Sequence, residues 1–293
     1  MIIIKNSINY LYGISCDSII KRKNNYIISN NNQLYLLCLV DSKFINKINI
    51  YNFLIKNNYY VYKILYNKEK NIITNINNNN YLLIKIDNNK YEIDLSDIIN
   101  SSLYYGRGRC NWYNLWCKKI DYYEYQIEQI KKSYPLLYNS FSYYKGLTEN
   151  AISLINYINN EIEYYISHQR IYKNETNIQF YNPTNIILDS KVRDICEYFK
   201  SSFFGGFIQL ISVKNYIDYN INSFDEAILF MARMLYPSYY FDLYDEIINK
   251  ETKESKLLNI RNKICEYEEL LKEIYCYLHL KYNIPEIEWL KKI

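Results

Sequence analysis

Glycine and proline are scarce in this chain, with 6 glycines and 4 prolines in 293 residues. Before residue 106 the only glycine is Gly13. A phosphate-binding loop of the Gly-x-Gly-x-x-Gly type is therefore excluded from the N-terminal third. Gly106-Arg107-Gly108 has the wrong spacing for such a loop, and no Lys-Ser/Thr pair of a Walker motif accompanies it.

Cysteine, histidine and long apolar runs are also restricted. The 7 cysteines are an odd number without a Cys-x-x-Cys pair, which favours a reducing compartment over a disulfide framework. Cys265, Cys276 and His279 have irregular spacing and no fourth partner, which predicts buried thiols rather than metal ligands. No apolar run reaches the roughly 18 residues of a membrane span, and residues 1–5 are too short for a signal peptide. We expect a soluble intracellular chain.

The charges are mixed along the chain. Lysine and arginine number 35 against 31 aspartates and glutamates, a formal net charge of +4. Because basic residues are interspersed with acidic ones, the sequence lacks the basic footprint of a nucleic-acid-binding surface. The 37 tyrosines accompany many other residues read from A/T-rich codons, so we attribute them mainly to genome composition. Nucleic acid is not an expected partner.

Residues 1–100 have the pattern of a small antiparallel sheet with one helix. Apolar runs of strand length predict strands at residues 34–40, 72–73, 81–86 and 91–95. Residues 48–56 have the spacing of a short helix. Residues 77–80 are all asparagine, which predicts a turn because asparagine tolerates a left-handed backbone.

From residue 111 the apolar pattern becomes helical. Trp112, Trp116 and the residues that follow predict an amphipathic helix that ends before Pro135. A second helix is predicted to begin at Thr148, with its hydroxyl as the cap. Ser223-Phe224-Asp225-Glu226 is a capping box before the apolar run 227–235. Further helices are predicted at residues 192–199, before the break at 205–206, and at 258–280.

These patterns predict two lobes. Residues 1–100 form a strand-rich N-terminal lobe, and residues 101–293 form a helical C-terminal lobe. Gly106-Arg107-Gly108-Arg109 is predicted to be a flexible link near the boundary.

His168-Gln169-Arg170 has the form of a catalytic turn whose acid is replaced. In kinase-type phosphotransferases a His-x-Asp turn supplies the base that accepts the substrate hydroxyl proton. Here the third residue is Arg170, a permanent cation that can pair with phosphate but cannot accept a proton near neutral pH. We therefore expect no catalytic residue at this turn. His168 is interpreted as a structural donor to a backbone carbonyl.

Asp189 is the candidate Mg²⁺ ligand if the chain is active, because it ends an apolar run that follows His168. The alternative is structural: Asp189 caps the helix at 192–199, and Arg193 with Asp194 anchors that helix to the His168 turn. Lys85 lies on a predicted strand and is interpreted as a solvated lysine. We favour the structural interpretations and expect no metal and no other cofactor.

Several segments in this order resemble the spore coat protein YutH family, which is related to CotS-like coat proteins and more distantly to aminoglycoside phosphotransferases. The resemblance covers roughly residues 30 to 290. The stretches that carry it are WYNLW at 112–116 with KKID at 118–121, SFSYYKGLTENA at 140–151, SHQR at 167–170, VRDICEY at 192–198 and RMLYPSYYF at 233–241.

This resemblance implies an α+β, two-lobed protein-kinase-like fold of the aminoglycoside phosphotransferase type. It also implies a role in the endospore coat, with synthesis in the mother-cell cytoplasm and other coat proteins as partners. The family resembled also has Arg after His-Gln, so His168, Arg170 and Asn182 are expected to be a vestigial site. The metal-binding Asp of active relatives corresponds either to Tyr181-Asn182 or to Asp189.

Three hypotheses follow for the function. The first is a catalytically silent coat component with a kinase-like fold. The second is an ATP- and Mg²⁺-dependent small-molecule phosphotransferase that uses Asp189 on the metal. The third is a regulatory module that binds an anion through Arg170 and Arg193.

Overall fold

The structure is a computed structural model that describes residues 2–22, 24–41, 44–87, 93–158, 161–171, 177–206 and 208–291. These residues fall into two compact units. The first is drawn from residues 1–94, 168–170 and 174–187, and the second from 95–167, 171–173 and 188–293. The lobes 1–100 and 101–293 stay a prediction about domains, since compactness alone does not establish that a unit folds independently.

The first unit is built on an antiparallel sheet. Its elements up to residue 86 are α1 (Ile2–Tyr12), β1 (Ser18–Arg22), β2 (Asn25–Asn30), β3 (Gln33–Leu39), α2 (Phe44–Lys56), β4 (Lys63–Leu65), β5 (Ile73–Ile76) and β6 (Asn79–Ile86). The strand order is β1-β2-β3-β6-β4, and β5 also pairs with β6. This confirms the small antiparallel sheet predicted for the N-terminal part.

Strand β3 is apolar along its length because both of its faces are buried. On one face, Leu37 packs in a cluster with Ile8 of α1 and Leu83 of β6. On the other face, Leu36 packs in a cluster with Phe44 of α2. A strand covered on both faces needs apolar residues at successive positions, which explains the continuous run at residues 34–40.

Asparagine takes the place of glycine in the tight hairpins. Asn31 and Asn32 join β2 to β3 with φ of 46° and 64°, and Asn77 and Asn78 join β5 to β6 with φ of 52° and 61°. Positive φ at both central residues is typical of the type I′ turns that connect twisted strands. Asparagine adopts this conformation more readily than most side chains. The turn predicted at residues 77–80 is confirmed.

The chain from residue 95 onward is mainly helical. Its elements are α3 (Leu95–Asn100), β7 (Tyr104–Arg109), α4 (Trp112–Ile130), α5 (Pro135–Ile155), β8 (Glu161–His168), α6 (Asn177–Phe180), β9 (Ile186–Asp189), α7 (Val192–Gly205), α8 (Leu210–Asn220), α9 (Phe224–Leu235), α10 (Ser238–Ile248), α11 (Leu257–Arg261) and α12 (Ile264–Tyr282), with 3-10 turns at Glu254–Lys256 and Glu288–Leu290. Strands β7, β8 and β9 form a second sheet in that order. Within the described ranges, no helix is both long and apolar enough to cross a membrane.

The prediction of a strand at residues 91–95 is wrong for Leu95. Leu95 begins helix α3, whose first turn contains Asp97. Residues 91 and 92 lie outside the described residues.

The flexible link predicted at Gly106–Arg109 is also wrong, because these residues belong to strand β7. They pair antiparallel with β8, and the register shifts between Tyr104 and Gly106. A Cβ atom on Gly108 would lie 2.7 Å from Cε2 of Tyr164. Glycine is therefore needed at this position for close packing of the strand against an aromatic ring, and not for mobility.

Helix α5 begins thirteen residues earlier than predicted. Pro135 occupies its first turn, where the missing N–H of proline costs no intrahelical hydrogen bond. Thr148 lies in the middle of the helix, and its Oγ1 donates to the Tyr144 carbonyl oxygen at 2.8 Å. A threonine hydroxyl can thus be satisfied inside a helix as well as at its start. The predicted end of the preceding helix before Pro135 is confirmed by α4.

The capping box before α9 is confirmed. Ser223 Oγ accepts from the Glu226 N–H at 3.2 Å, and Glu226 Oε2 accepts the N–H of Asn222 at 2.7 Å. The return bond therefore reaches one residue further back than in the usual box. The helix predicted at 192–199 is present as α7 and ends at Gly205.

The single helix predicted at 258–280 is interrupted and forms α11 and α12. Lys263 lies at the interruption, and its Nζ donates to the carbonyl oxygens of Phe203, Phe204 and Gly206. A lysine that binds the last carbonyl groups of a helix stabilises that helix end. The interruption thus places a cation at the C-terminus of α7.

A buried ion pair joins α7 to the turn after α9. Lys200 is 1% exposed, and its Nζ donates to Glu197 Oε1 at 2.8 Å, to Ser238 Oγ at 2.7 Å and to the carbonyl oxygens of Arg233 and Tyr236. Ser238 Oγ in turn donates to Glu197 Oε2 at 2.8 Å. Burial lowers the pKa of Lys200, and the attraction of Glu197 opposes that shift.

Replacing Lys200 with methionine is expected to lower the free energy of unfolding by about 3–5 kcal/mol, because Glu197 is left as a buried charge without its counter-ion. Urea unfolding of the full chain measures this change. The control is Lys131→Met, which removes a surface pair with Glu128 and should leave stability almost unchanged, because exposed ion pairs contribute little. Equal losses in the two variants would contradict the anchoring role of Lys200.

Candidate functional site

His168 ends strand β8 and is 1% exposed. Its Nε2 lies 2.9 Å from the carbonyl oxygen of Phe180, and its ring stacks on the Phe180 ring with centroids 4.3 Å apart. A carbonyl oxygen can only accept a hydrogen bond, so Nε2 carries the proton and donates. The hydrogen bond predicted for His168 is present, although the carbonyl belongs to α6 and not to the turn itself.

Arg170 follows in a loop that is hydrogen-bonded to residues 179–185. Its Nη1 donates to the Gln169 carbonyl oxygen at 2.8 Å. The Gln169 N–H donates to the Asn185 carbonyl oxygen at 2.8 Å, and Asn185 Nδ2 donates to the Arg170 carbonyl oxygen at 3.3 Å. These hydrogen bonds fix the loop around a guanidinium group that cannot act as a base.

Asn182 organises the turn that follows α6. It is 2% exposed, and its Oδ1 accepts from the Thr184 N–H at 2.9 Å and from Thr184 Oγ1 at 2.8 Å. Its Nδ2 lies 3.8 Å from Sγ of Cys38 on β3. Burial raises the pKa of this thiol to about 11, so Cys38 is neutral near pH 7. The amide oxygen of Asn182 is occupied by local hydrogen bonds that fix the turn.

Asp189 ends strand β9 and is 3% exposed. Its Oδ2 accepts from Arg193 Nη1 at 2.6 Å, and its Oδ1 accepts from Arg233 Nη2 at 2.5 Å. Oδ1 also accepts the N–H of Ser190 at 2.7 Å. Charge-assisted hydrogen bonds of this length are the strong ones in proteins. Both carboxylate oxygens are therefore taken by donors from the chain itself.

The capping role predicted for Asp189 is wrong. The residue at the cap of α7 is Lys191, and α7 has no side-chain capping bond. The carboxylate of Asp189 instead binds Arg193 in the first turn of α7 and Arg233 near the end of α9. Two guanidinium groups compete with the helix N–H groups for this carboxylate, and a charged donor makes the stronger bond.

Arg233 is held between Asp189 and two tryptophans. Its guanidinium carbon lies 4.8 Å from the ring centroid of Trp112 and 5.8 Å from that of Trp116. Trp116 stacks on Tyr236 with centroids 4.5 Å apart. The delocalised guanidinium charge is suited to such packing, because it combines hydrogen bonds in its plane with attraction to aromatic faces.

The described residues of the first unit differ from a kinase nucleotide site at two further points. Strand β3, with the sequence QLYLLCL, contains no lysine, whereas protein kinases carry their phosphate-binding lysine on the third strand. β1 ends at Arg22 and β2 begins at Asn25, so the connection between them is too short to cover phosphates. Lys85 is half-buried on β6 and lies opposite Lys63 of β4 and Tyr35 of β3.

No group of three or more His, Cys, Asp or Glu side chains among the described residues is arranged to hold a metal ion. His279 Nδ1 lies 2.6 Å from the Ile284 carbonyl oxygen. Cys276 is half-buried and Cys265 is exposed, so the prediction of buried thiols is wrong for Cys265, which lies in the first turn of α12.

The predicted site residues divide between the two units. His168, Arg170 and Asn182 belong to the first unit, where hydrogen bonds join their loops, and Asp189 and Arg193 belong to the second. Arg233 was not among the site residues predicted from the sequence. Its position near the end of the apolar run 227–235 could have indicated a role, because a charged residue on a buried helix requires a partner.

The fold of this chain is that of aminoglycoside phosphotransferases and choline kinase. Spectinomycin phosphotransferase APH(9)-Ia, solved with ADP and spectinomycin, is similar with a TM-score of 0.57 at 11% identity, over 94% of this chain and 97% of that one. Choline kinase LicA from Streptococcus pneumoniae is similar with a TM-score of 0.54 at 12% identity, over 94% and 98% of the two chains. These likenesses confirm the kinase-like α+β fold.

A closer relative is found by sequence. The endospore coat-associated protein YutH of Bacillus subtilis (strain 168) is 26% identical over 215 residues, which cover 62% of this chain and 61% of that relative. The family described as spore coat putative kinase YutH matches residues 5–274, and the match includes His168, Arg170, Asp189 and Arg233. The chain therefore belongs to the YutH family of spore coat proteins.

Proposed function

We propose that this chain is a non-catalytic component of the bacterial endospore coat, located in the coat and held there by contacts with other coat proteins. The coat role follows from membership of the YutH family. The observation that supports a non-catalytic role is the environment of Asp189, whose carboxylate is paired with Arg193 and Arg233. A metal ligand needs free oxygen lone pairs directed at the ion.

Mg²⁺ and ATP, the cofactors that a kinase-like fold implies, do not fit the residues present. Arg170 stands where the base belongs, and β3 supplies no lysine. A divalent cation at Asp189 would have to compete with two guanidinium groups that hold the carboxylate in a buried position. Each of these differences removes a different part of the phosphoryl-transfer template, so together they favour a scaffold over a phosphotransferase.

A kinase-like fold without phosphoryl transfer still offers a stable surface. Function depends on the site and not on the fold alone, so the likeness to active kinases does not require activity here. The buried Lys200–Glu197 and Arg233–Asp189 pairs hold helices α7 and α9 and strand β9 together without a ligand. Under this proposal, the exposed side chains of the helices carry the contacts with coat partners.

The first test is nucleotide binding. We expect the melting temperature of the full chain to stay unchanged in millimolar Mg·ATP, because β3 carries no lysine and the Asp189 carboxylate is paired with two arginines. A ligand at 100 times its Kd would add about 2.7 kcal/mol of stability, or roughly 5–10 °C for a domain of this size. The choline kinase LicA serves as the positive control. Transfer of labelled γ-phosphate to any small molecule would refute the non-catalytic role.

The second test uses Asp189→Asn. We expect the free energy of unfolding to fall by about 3–5 kcal/mol, because the variant leaves two guanidinium groups without their shared counter-ion. The matched control is Asp218→Asn, which breaks an exposed pair with Lys281 and should leave stability almost unchanged, because exposed ion pairs contribute little. Chemical denaturation measures both variants. A vestigial metal ligand with no structural role would instead leave stability unchanged or raised.

A further inference from the structure

A groove in the second unit takes no part in the vestigial site. It lies between the N-terminal half of α5 and helix α11, continues to the start of α12 and has a volume of about 440 Å³. Its apolar walls include Leu136, Tyr143, Leu257, Leu258 and Ile264. Of the described residues that line it, Arg261 alone carries a charge.

The groove combines a buried floor with an exposed apolar edge. Leu136, Ser140 and Tyr143 are spaced so that they lie on one face of α5. Leu257 is 6% exposed and forms part of the floor, whereas Leu258 is 42% exposed. A large aliphatic side chain at the edge of an apolar groove provides contact area that this chain does not cover itself.

The segment that forms one wall is basic. Residues 250–263 contain five basic residues against two acidic ones. Both acids have partners, since Glu254 Oε1 accepts the Leu137 N–H and Glu251 takes part in a further interaction. The side chains of Lys253, Lys256 and Arg261 form no hydrogen bond or ion pair within the described part of the chain.

We propose that this groove binds an acidic, amphipathic segment of another coat protein. Aliphatic or aromatic side chains of that segment fill the groove, and its carboxylates pair with Arg261 and with the lysines that lead into α11. Apolar grooves recognise peptides by such anchor side chains, and arginine binds carboxylates through paired hydrogen bonds. The volume lies within the range of ligand and peptide pockets. This inference rests on the proposed function, because it names the class of partner.

The test replaces Leu258 with a benzophenone amino acid in the full chain, expressed during sporulation and irradiated in the spore. Mass spectrometry then identifies the captured peptide. We expect a segment of another protein in which two or more apolar residues are flanked by Asp or Glu. A segment of a second copy of this chain, a basic or uncharged segment, or no adduct at all would overturn the inference.

Variants in the same background test the role of charge. Arg261→Glu should lower the adduct yield at least about tenfold, the scale of an arginine at the centre of an interface, and Arg261→Lys should retain most of it. Lys118→Glu is the control, because this exposed lysine of α4 changes the net charge equally at a distant position in the sequence. Equal yields from Arg261→Glu and Lys118→Glu would exclude Arg261 as the carboxylate partner.

The outcomes separate this inference from the proposed function. Absence of the wild-type chain from purified spore coats would refute the coat role itself. Presence of the chain in the coat, together with the same captured segment at equal yield in wild type and Arg261→Glu, would refute only the groove. Benzophenone at Tyr125, which is 71% exposed on α4, controls for nonspecific capture and should yield a different peptide or none.

Discussion

The pairing of Arg233 with Asp189 is the contact on which the organisation of the second unit depends. The Arg233 side chain reaches the end of β9 through Asp189, while its backbone carbonyl accepts from Lys200 of α7. One residue at the end of α9 thus joins a strand and a helix through two different groups. Because each partner is nearly inaccessible to water, these charges cannot exchange their partners for solvent. This constraint fixes α7, β9 and α9 in one arrangement.

The run RMLYPSYYF at 233–241 has a physical explanation in the same contacts. Tyr236 presents its carbonyl to Lys200 and its ring to Trp116. Pro237 precedes α10, and Ser238 hydrogen-bonds both members of the Lys200–Glu197 pair. A buried ion pair is stabilising only when its remaining donors and acceptors are also satisfied. The run therefore provides hydrogen-bond acceptors for the buried Lys200 ammonium group. Its composition is explained without a catalytic role.

Local signals in the sequence predicted local structure, and distant contacts explain the failures. The Ser223 capping box was predictable because its bonds span at most four residues. Thr148 offers the same chemistry inside a helix, where the hydroxyl bonds to the preceding turn. Gly108 suggested flexibility because its close contact with Tyr164 cannot be inferred from neighbouring residues. Likewise, Asp189 suggested a cap because Arg233 is 44 residues away in the chain. The replacement of the expected acid by Arg170 needed no structure to be recognised, since a guanidinium group cannot act as a base.

The charge of Asp189 is balanced by side chains of the chain itself. In an active phosphotransferase, Mg²⁺ brings two positive charges to the carboxylate at this kind of position. Here two guanidinium groups bring the same formal charge from within the chain. A protein stabilised by a bound ligand loses that stability when the ligand is dilute, whereas an internal counter-ion is present at every concentration. Under the proposed coat role, an internal counter-ion makes the stability of the fold independent of the nucleotide and metal concentrations around it. A permanent scaffold requires this property.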